Sequence, residues 1–188
     1  MDAFLTALLG CLLGEMGDRS QLLVLLLAAR YNRDGAVIAG IIAAALANAA
    51  ISATAGAFIG LMLAPDARLL FMALAFLFLG AGMLWPVKPP DPLAGWPLGA
   101  FLTTLLGLFI LGFGDGPQFL ILGLAARMAD PALAAAGGAT GIVLAALPVV
   151  LLRERFLAAM PLRLIRRGGA AVMLLVGALC LLSALHLL

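Results

Sequence analysis

Charged residues are scarce in this chain of 188 residues: they make up 11% of it, whereas soluble domains carry about a quarter. Hydrophobic residues make up 65%, and the mean hydropathy is +1.22. This balance excludes an ordinary soluble domain and favours a protein embedded in lipid. The net charge of +2 is too small to indicate a nucleic-acid partner.

Residues that soft metals and enzyme mechanisms need are also few. The chain has one His and two Cys, and Cys11 and Cys180 both lie in apolar runs, which is typical of small buried hydrophobic residues. No nucleophile–base pair or soluble catalytic region is visible, so the sequence indicates neither an enzyme nor a cofactor. Asp2 stands where a signal peptide would be basic, so the first apolar run is kept as a spanning segment.

Six apolar segments of about 20 residues or more are long enough to cross the hydrocarbon core of a membrane. They cover residues 3–29, 36–64, 67–85, 96–128, 131–152 and 168–188. Residues 86–92 include four prolines, which exclude a helix and mark a central linker over residues 86–95. We predict an all-α integral membrane protein with six transmembrane helices, forming one domain over residues 1–188.

The two halves of the chain, residues 1–85 and 96–188, repeat each other at a constant offset of 97. At this offset the matching polar and glycine positions are Gly17 and Gly114, Asp18 and Asp115, Gln21 and Gln118, Arg30 and Arg127, and Gly40 and Gly137. Each half contains three predicted spans, an odd number, so the halves must insert in opposite orientations. The sequence thus predicts two inverted three-helix repeats, a common plan of secondary transporters.

Lys and Arg are distributed unevenly among the connectors. Eight lie in connectors one–two, three–four and five–six, and two lie on the opposite side. This excess predicts that the odd-numbered connectors face the cytoplasm. The expected location is a bacterial inner membrane, crossed several times, with both termini in the periplasm.

The first segment contains an unusual polar motif at residues 15–21, Glu-Met-Gly-Asp-Arg-Ser-Gln. On a continuous helix the spacing of Glu15 and Asp18 puts them on one face, a turn apart. A carboxylate at membrane depth costs at least about 2.5–3.5 kcal/mol, so it must be protonated, paired or bound to a cation. Arg19 can offset part of the repulsion, and a purely structural ion-pair cluster is the alternative interpretation.

A second motif at residues 112–118, Gly-Phe-Gly-Asp-Gly-Pro-Gln, departs from the first. It keeps Asp115 and Gln118 but has Gly112 where the first has Glu15. Its glycines and proline make a poor helix interior. We therefore expect a break at this motif, with freed backbone carbonyls lining a cavity.

Facing motifs would bring together Glu15, Asp18 and Asp115, with Gln21 and Gln118 beside them. Carboxylate and amide oxygens suit Mg²⁺, Ca²⁺ and Mn²⁺, whereas Zn²⁺ and Cu⁺ are poorly served without thiolate or histidine. The same carboxylates can carry protons when no metal is bound, which is the chemistry of antiport.

Three further polar residues are candidates for relay or helix-contact roles: Arg19, Ser20 and Asn48. For Asn48, in the middle of the second segment, an interhelical hydrogen bond and a role as ligand or relay both stay open.

The pattern Glu-x-Gly-Asp-(Lys/Arg)-(Ser/Thr), once in each three-helix half, resembles the signature of the Ca²⁺/Mn²⁺–proton exchangers. That family includes the Golgi manganese transmembrane proteins of eukaryotes and small bacterial manganese exporters. Residues 15–20 match in full, whereas Gly114 and Asp115 carry over from the second motif. The resemblance implies export of Mn²⁺ or Ca²⁺ from the cytoplasm against protons, with both motifs at the site.

We therefore predict a secondary exchanger of a divalent cation, most simply Mn²⁺, in contact with membrane lipid as a monomer or homodimer. Two alternatives stay open. An exporter of another small solute, such as an amino acid, predicts a larger polar cavity. A non-transporting membrane scaffold predicts that neutralising Asp18 or Asp115 changes nothing.

Overall fold

A computed structural model describes residues 1–128 and 130–187, and these form nine α-helices. The helices are α1 (Asp2–Glu15), α2 (Arg19–Tyr31), α3 (Asp34–Met62), α4 (Pro65–Leu84), α5 (Ala100–Gly112), α6 (Gly116–Arg127), α7 (Pro131–Leu152), α8 (Glu154–Ala159) and α9 (Leu162–Ala184). The predicted Pro-rich linker lies between α4 and α5, outside any helix.

Four helices, α3, α4, α7 and α9, are long and apolar enough to cross a membrane. Helices α5 and α6, bent by 68° at their junction, count as a fifth candidate span. Helices α1 and α2 are each too short to cross alone, and three charged residues lie around their junction. The all-helical membrane architecture is thus confirmed, with four or five spans, and the sixth span stays a prediction.

The first predicted segment is not one continuous helix. Glu15 is the last residue of α1 and Asp18 the residue before α2, with Gly17 between them at φ +73°. The prediction that Glu15 and Asp18 lie a turn apart on one helix is therefore wrong, because a left-handed glycine redirects the chain. The predicted break at the second motif is confirmed, since α5 ends at Gly112 and α6 begins at Gly116.

The last helix also differs from its predicted start. Helix α9 begins at Leu162, so the second part of the basic stretch 153–167 is helical rather than a connector. This shift places Arg166 inside a helix, where it is 8% exposed.

Small residues allow the helices to pack closely. Helix α1 packs along α7 and α4 along α9, while α3 contacts α5, α6 and α7. A Cβ on Gly137 would overlap the backbone carbonyl of Phe4, and one on Gly56 would overlap that of Leu122. Such approaches require glycine and are typical of helix contacts in membranes.

Contacts between connectors define one end of the helix bundle. Arg30, at the end of α2, donates to the carbonyls of Leu93 and Ala94 in the central linker at 2.6 and 3.0 Å. Arg153, after α7, pairs with Asp34 at 3.1 Å, which joins connectors five–six and one–two. The three basic connectors therefore lie at one end, which we call the linker end.

Candidate cation-binding site

The two motifs form the same local structure at their helix breaks. Gly17 and Gly114 have φ values of +73° and +78°, a left-handed conformation that favours glycine. The amide N–H of Gly17 donates to Gln21 Oε1 at 2.8 Å, and that of Gly114 donates to Gln118 Oε1 at 2.7 Å. The offset of 97 found in the sequence thus corresponds to two equivalent turns.

The two aspartates occupy equivalent positions but have different partners. Asp18 and Asp115 are the N-cap residues of α2 and α6. The Asp115 carboxylate accepts from the backbone N–H of Gly116 at 2.8 Å. The Asp18 carboxylate instead accepts from the Arg166 guanidinium at 3.0 Å. Asp115 is therefore held by its own helix, and Asp18 by a distant one.

A small cavity of about 40 Å³ lies between the breaks, and we call it the enclosed cavity because most of the residues that line it are buried. Its polar lining comes from both motifs and from α3, and comprises Glu15, Ser20, Gln21, Asn48, Asp115 and Gln118. Glu15 is 8% exposed and accepts a hydrogen bond from Ser20 Oγ. Two predicted acids, Glu15 and Asp115, therefore share this cavity, and Asp18 is not part of its lining.

A larger cavity of about 420 Å³ lies beside the first, next to the central linker. We call it the vestibule; its charged lining comprises Asp18, Arg19, Lys88, Asp115 and Arg166. Asp115 lines both the vestibule and the enclosed cavity, so its side chain borders both.

The packing around the vestibule is asymmetric. Helix α6 packs against α3 and α4, whereas α2 packs against α7 and has no comparable contact with α9 within the described part of the chain. The residues that line the vestibule fill this less packed side, between the start of α2 and the start of α9. Both breaks therefore border the vestibule, beside the central linker.

Arg166 is the residue at this site that sequence reasoning missed. Besides Asp18, its guanidinium donates to the carbonyl of Gly17 at 3.2 Å and to those of Gly82 and Trp85 at 3.4 Å. It thereby joins the first break to the end of α4. In the sequence, Arg166 belongs to the basic residues of connector five–six, which indicate only the orientation of the chain. Arg166 is buried because α9 begins at Leu162 and carries this side chain inward.

The amide side chains differ in how fully they are bonded. Gln21 Nε2 donates to the Ala145 carbonyl at 2.7 Å. Gln118 Nε2 and Asn48 Oδ1 are buried without a hydrogen-bond partner among residues 1–128 and 130–187.

Arg19, expected to relieve the repulsion between acids, is exposed to the vestibule. No group of three or more His, Cys, Asp or Glu able to hold a metal occurs among the described residues, so neutral oxygens must complete any cation site here.

Comparison with known proteins connects this geometry to a family. The family model described as divalent cation/proton antiporter GDT1 matches residues 3–91 and 100–187. The chain belongs to the GDT1 family of divalent cation/proton antiporters. This confirms the resemblance seen in residues 15–20. GDT1 proteins are transporters, in keeping with the expectation that the chain is not an enzyme.

One relative adds to this assignment. A protein of Vibrio cholerae serotype O1, named "Putative manganese exporter", is 36% identical over 164 residues, which cover 87% of this chain and 82% of the relative. No solved structure shows a significant match to the chain. As a GDT1 protein, the chain is a membrane exporter of cations.

Proposed function

We propose that this GDT1 protein exports Mn²⁺ from the cytoplasm in exchange for protons, with Ca²⁺ as the alternative cation. The observation that carries the proposal is the enclosed cavity, where Glu15 and Asp115 from the two breaks meet amide side chains. Carboxylate and amide oxygens suit hard divalent cations, and no thiol or imidazole is among the residues that line this cavity. The name of the Vibrio cholerae relative supports Mn²⁺.

Exchange follows from the charge of the two acids. A divalent cation between Glu15 and Asp115 neutralises both carboxylates. When the cation leaves, two adjacent carboxylates at membrane depth are unfavourable, so they bind protons instead. The same two groups then alternate between one divalent cation and protons, while Gln21 and Gln118 hold the turns that present them.

Access to the site alternates between the two membrane faces. The vestibule leads from the linker end to Asp115, and the excess of Lys and Arg assigns that end to the cytoplasm. In this proposal the structure represents a cytoplasm-facing state of two inverted three-helix halves, with both termini in the periplasm. Movement of one half against the other would open access from the opposite side.

Cavity size favours a bare or partly hydrated ion over an organic solute. A volume of about 40 Å³ has room for a cation and a few waters, since one water needs about 10–15 Å³ on this measure. An amino acid would fit only in the larger vestibule, which Asp115 but not Glu15 lines, so the size argument applies to the cavity that holds both acids.

The test is Mn²⁺ transport by the purified protein in liposomes under an imposed pH gradient. We expect Mn²⁺ movement coupled to opposite proton movement, with Ca²⁺ and Mg²⁺ as competitors. Glu15→Gln and Asp115→Asn should each abolish it, because each removes one negative charge from the cavity. Ser52→Ala is the matched control, since Ser52 is buried on α3 but does not line the cavity.

Two results would contradict the proposal. Absence of Mn²⁺ and Ca²⁺ movement by the folded wild-type protein would rule out the exchange. Unchanged transport in both acid variants would place the site elsewhere and leave the membrane scaffold or another solute as the better interpretation.

A further inference from the structure

Asn48 on α3 occupies the space that faces Gly112, where the second motif lacks the acid of the first. A Cβ on Gly112 would lie 2.9 Å from Asn48 Nδ2. Glu15 is the counterpart of Gly112 at the offset of 97. A side chain at position 112 would therefore extend toward the place that the Asn48 amide now fills.

The two polar atoms of Asn48 are bonded differently. The residue is 5% exposed, and its Nδ2 donates to the Phe109 carbonyl at 3.3 Å. This bond sets the orientation of the amide, because only the nitrogen can donate. Oδ1 has no hydrogen-bond partner among the described residues, and Asn48 lines the enclosed cavity. A buried oxygen without a donor is unfavourable, so it is available to an ion in the cavity.

The corresponding position in the other half of the chain is different. The offset of 97 matches Asn48 with Ala145, which has no polar side chain. The Ala145 carbonyl accepts from Gln21 Nε2, so that position is satisfied without a ligand. The first motif therefore combines the acid Glu15 with a bonded backbone carbonyl at position 145. The second motif combines Gly112 with the Asn48 amide oxygen, which has no partner among the described residues.

We propose that Asn48 Oδ1 is a neutral ligand of the transported divalent cation and replaces the acid missing at Gly112. This inference rests on the proposed function and names a further residue of the same site. With Glu15 and Asp115, the ligand set carries two negative charges, which one divalent cation balances. Asn carbonyl oxygens are ordinary ligands of hard cations.

Equilibrium binding of Mn²⁺ to the purified full-length protein tests this ligand. We expect Asn48→Ala to weaken Mn²⁺ binding by about 10- to 100-fold, the range seen when a supporting group of a metal site is lost. Asn48→Asp keeps an oxygen at the position and adds charge, so it should bind Mn²⁺ at least as tightly as the wild type. Ser52→Ala should bind Mn²⁺ like the wild type.

Asn48→Asp also separates a ligand from a helix contact. Like Asn48→Ala, it removes the Nδ2 donor to the Phe109 carbonyl. If Asn48 only held the helices together, both variants would therefore bind Mn²⁺ equally weakly. Unchanged Mn²⁺ binding in Asn48→Ala, or equal loss in both variants, would overturn the inference. If Glu15→Gln abolishes binding while Asn48→Ala does not, the inference fails and the proposed function stands. If the folded wild type binds and transports no divalent cation, both fail.

A rescue variant gives an independent test that does not depend on a loss. In Asn48→Ala combined with Gly112→Glu, a carboxylate enters the space that the amide vacates. We expect this double variant to recover the Mn²⁺ binding lost in Asn48→Ala. Gly112→Glu alone should fail to improve binding, because its side chain meets the Asn48 amide. Binding in the double variant no better than in Asn48→Ala would count against a shared ligand position.

Discussion

The pair between Arg166 and Asp18 offers a direct measurement of what holds the first helix break. The two side chains are 10% and 19% exposed, with 3.0 Å between Nη1 and Oδ1. Arg166→Met keeps much of the side-chain length but leaves the Asp18 carboxylate without its partner. The carbonyls of Gly17, Gly82 and Trp85 lose a donor as well.

Removing one member of a buried pair costs about 3–5 kcal/mol, because the other charge is left uncompensated. Since the pair borders the vestibule and water can reach it, we expect the lower end, about 3 kcal/mol of unfolding free energy. Asp18→Asn together with Arg166→Met removes both charges, so the double variant should recover about 2 kcal/mol of that loss. The unfolding free energy of Arg166→Lys should lie between those of the wild type and Arg166→Met, because an ammonium cannot reproduce the forked guanidinium.

The chain contains a matched control in Arg153 and Asp34. Their atoms are 3.1 Å apart, but the side chains are 37% and 42% exposed. Arg153→Met should therefore cost no more than about 1 kcal/mol. Unfolding free energies in mixed micelles, measured for the four members of the cycle, provide the comparison. Equal destabilisation by Arg166→Met and Arg153→Met, with no coupling in the cycle, would refute the reasoning.

Two further predictions concern the breaks and the orientation. Gly114→Ala should lower the unfolding free energy by about 1–2 kcal/mol through left-handed backbone strain alone, since no described atom lies within 4 Å of the new Cβ. Gly17→Ala should lower the unfolding free energy further, because its Cβ would also lie 3.1 Å from Arg166 Cδ. Equal losses of unfolding free energy in the two variants would contradict this. Without the two native cysteines, Lys88→Cys should react with impermeant thiol reagents from the cytoplasm and Asp66→Cys from the periplasm. The reverse pattern would invert the orientation.

Much of this fold could be predicted because it depends on composition and local chain chemistry. Apolar length alone identifies α3, α4 and α7 to within two residues of their observed ends. The break at residues 113–115 follows from glycines and a proline that a helix interior disfavours. The break before Asp18 was missed, because Gly17 is the single glycine in an otherwise helix-compatible motif.

The partners of polar side chains at the site could not be predicted in the same way. Asp18 pairs with Arg166, which is 148 residues away along the chain. Asn48 reaches Gly112 only because α3 and α5 pack side by side. No periodicity in the sequence predicts these contacts, since they depend on how separate helices pack against one another.

By itself, the sequence determined that the chain is helical and membrane-embedded, and that its candidate chemistry lies in two matching Gly-Asp motifs 97 residues apart. These properties follow from residue type and spacing, which act over a few turns of chain. The tertiary structure alone decided which cavity each acid lines: Glu15 and Asp115 line the enclosed cavity, whereas Asp18 lines only the vestibule. The reason is physical: a buried charge takes whichever partner the packing brings near, and the packing brought Arg166 to Asp18.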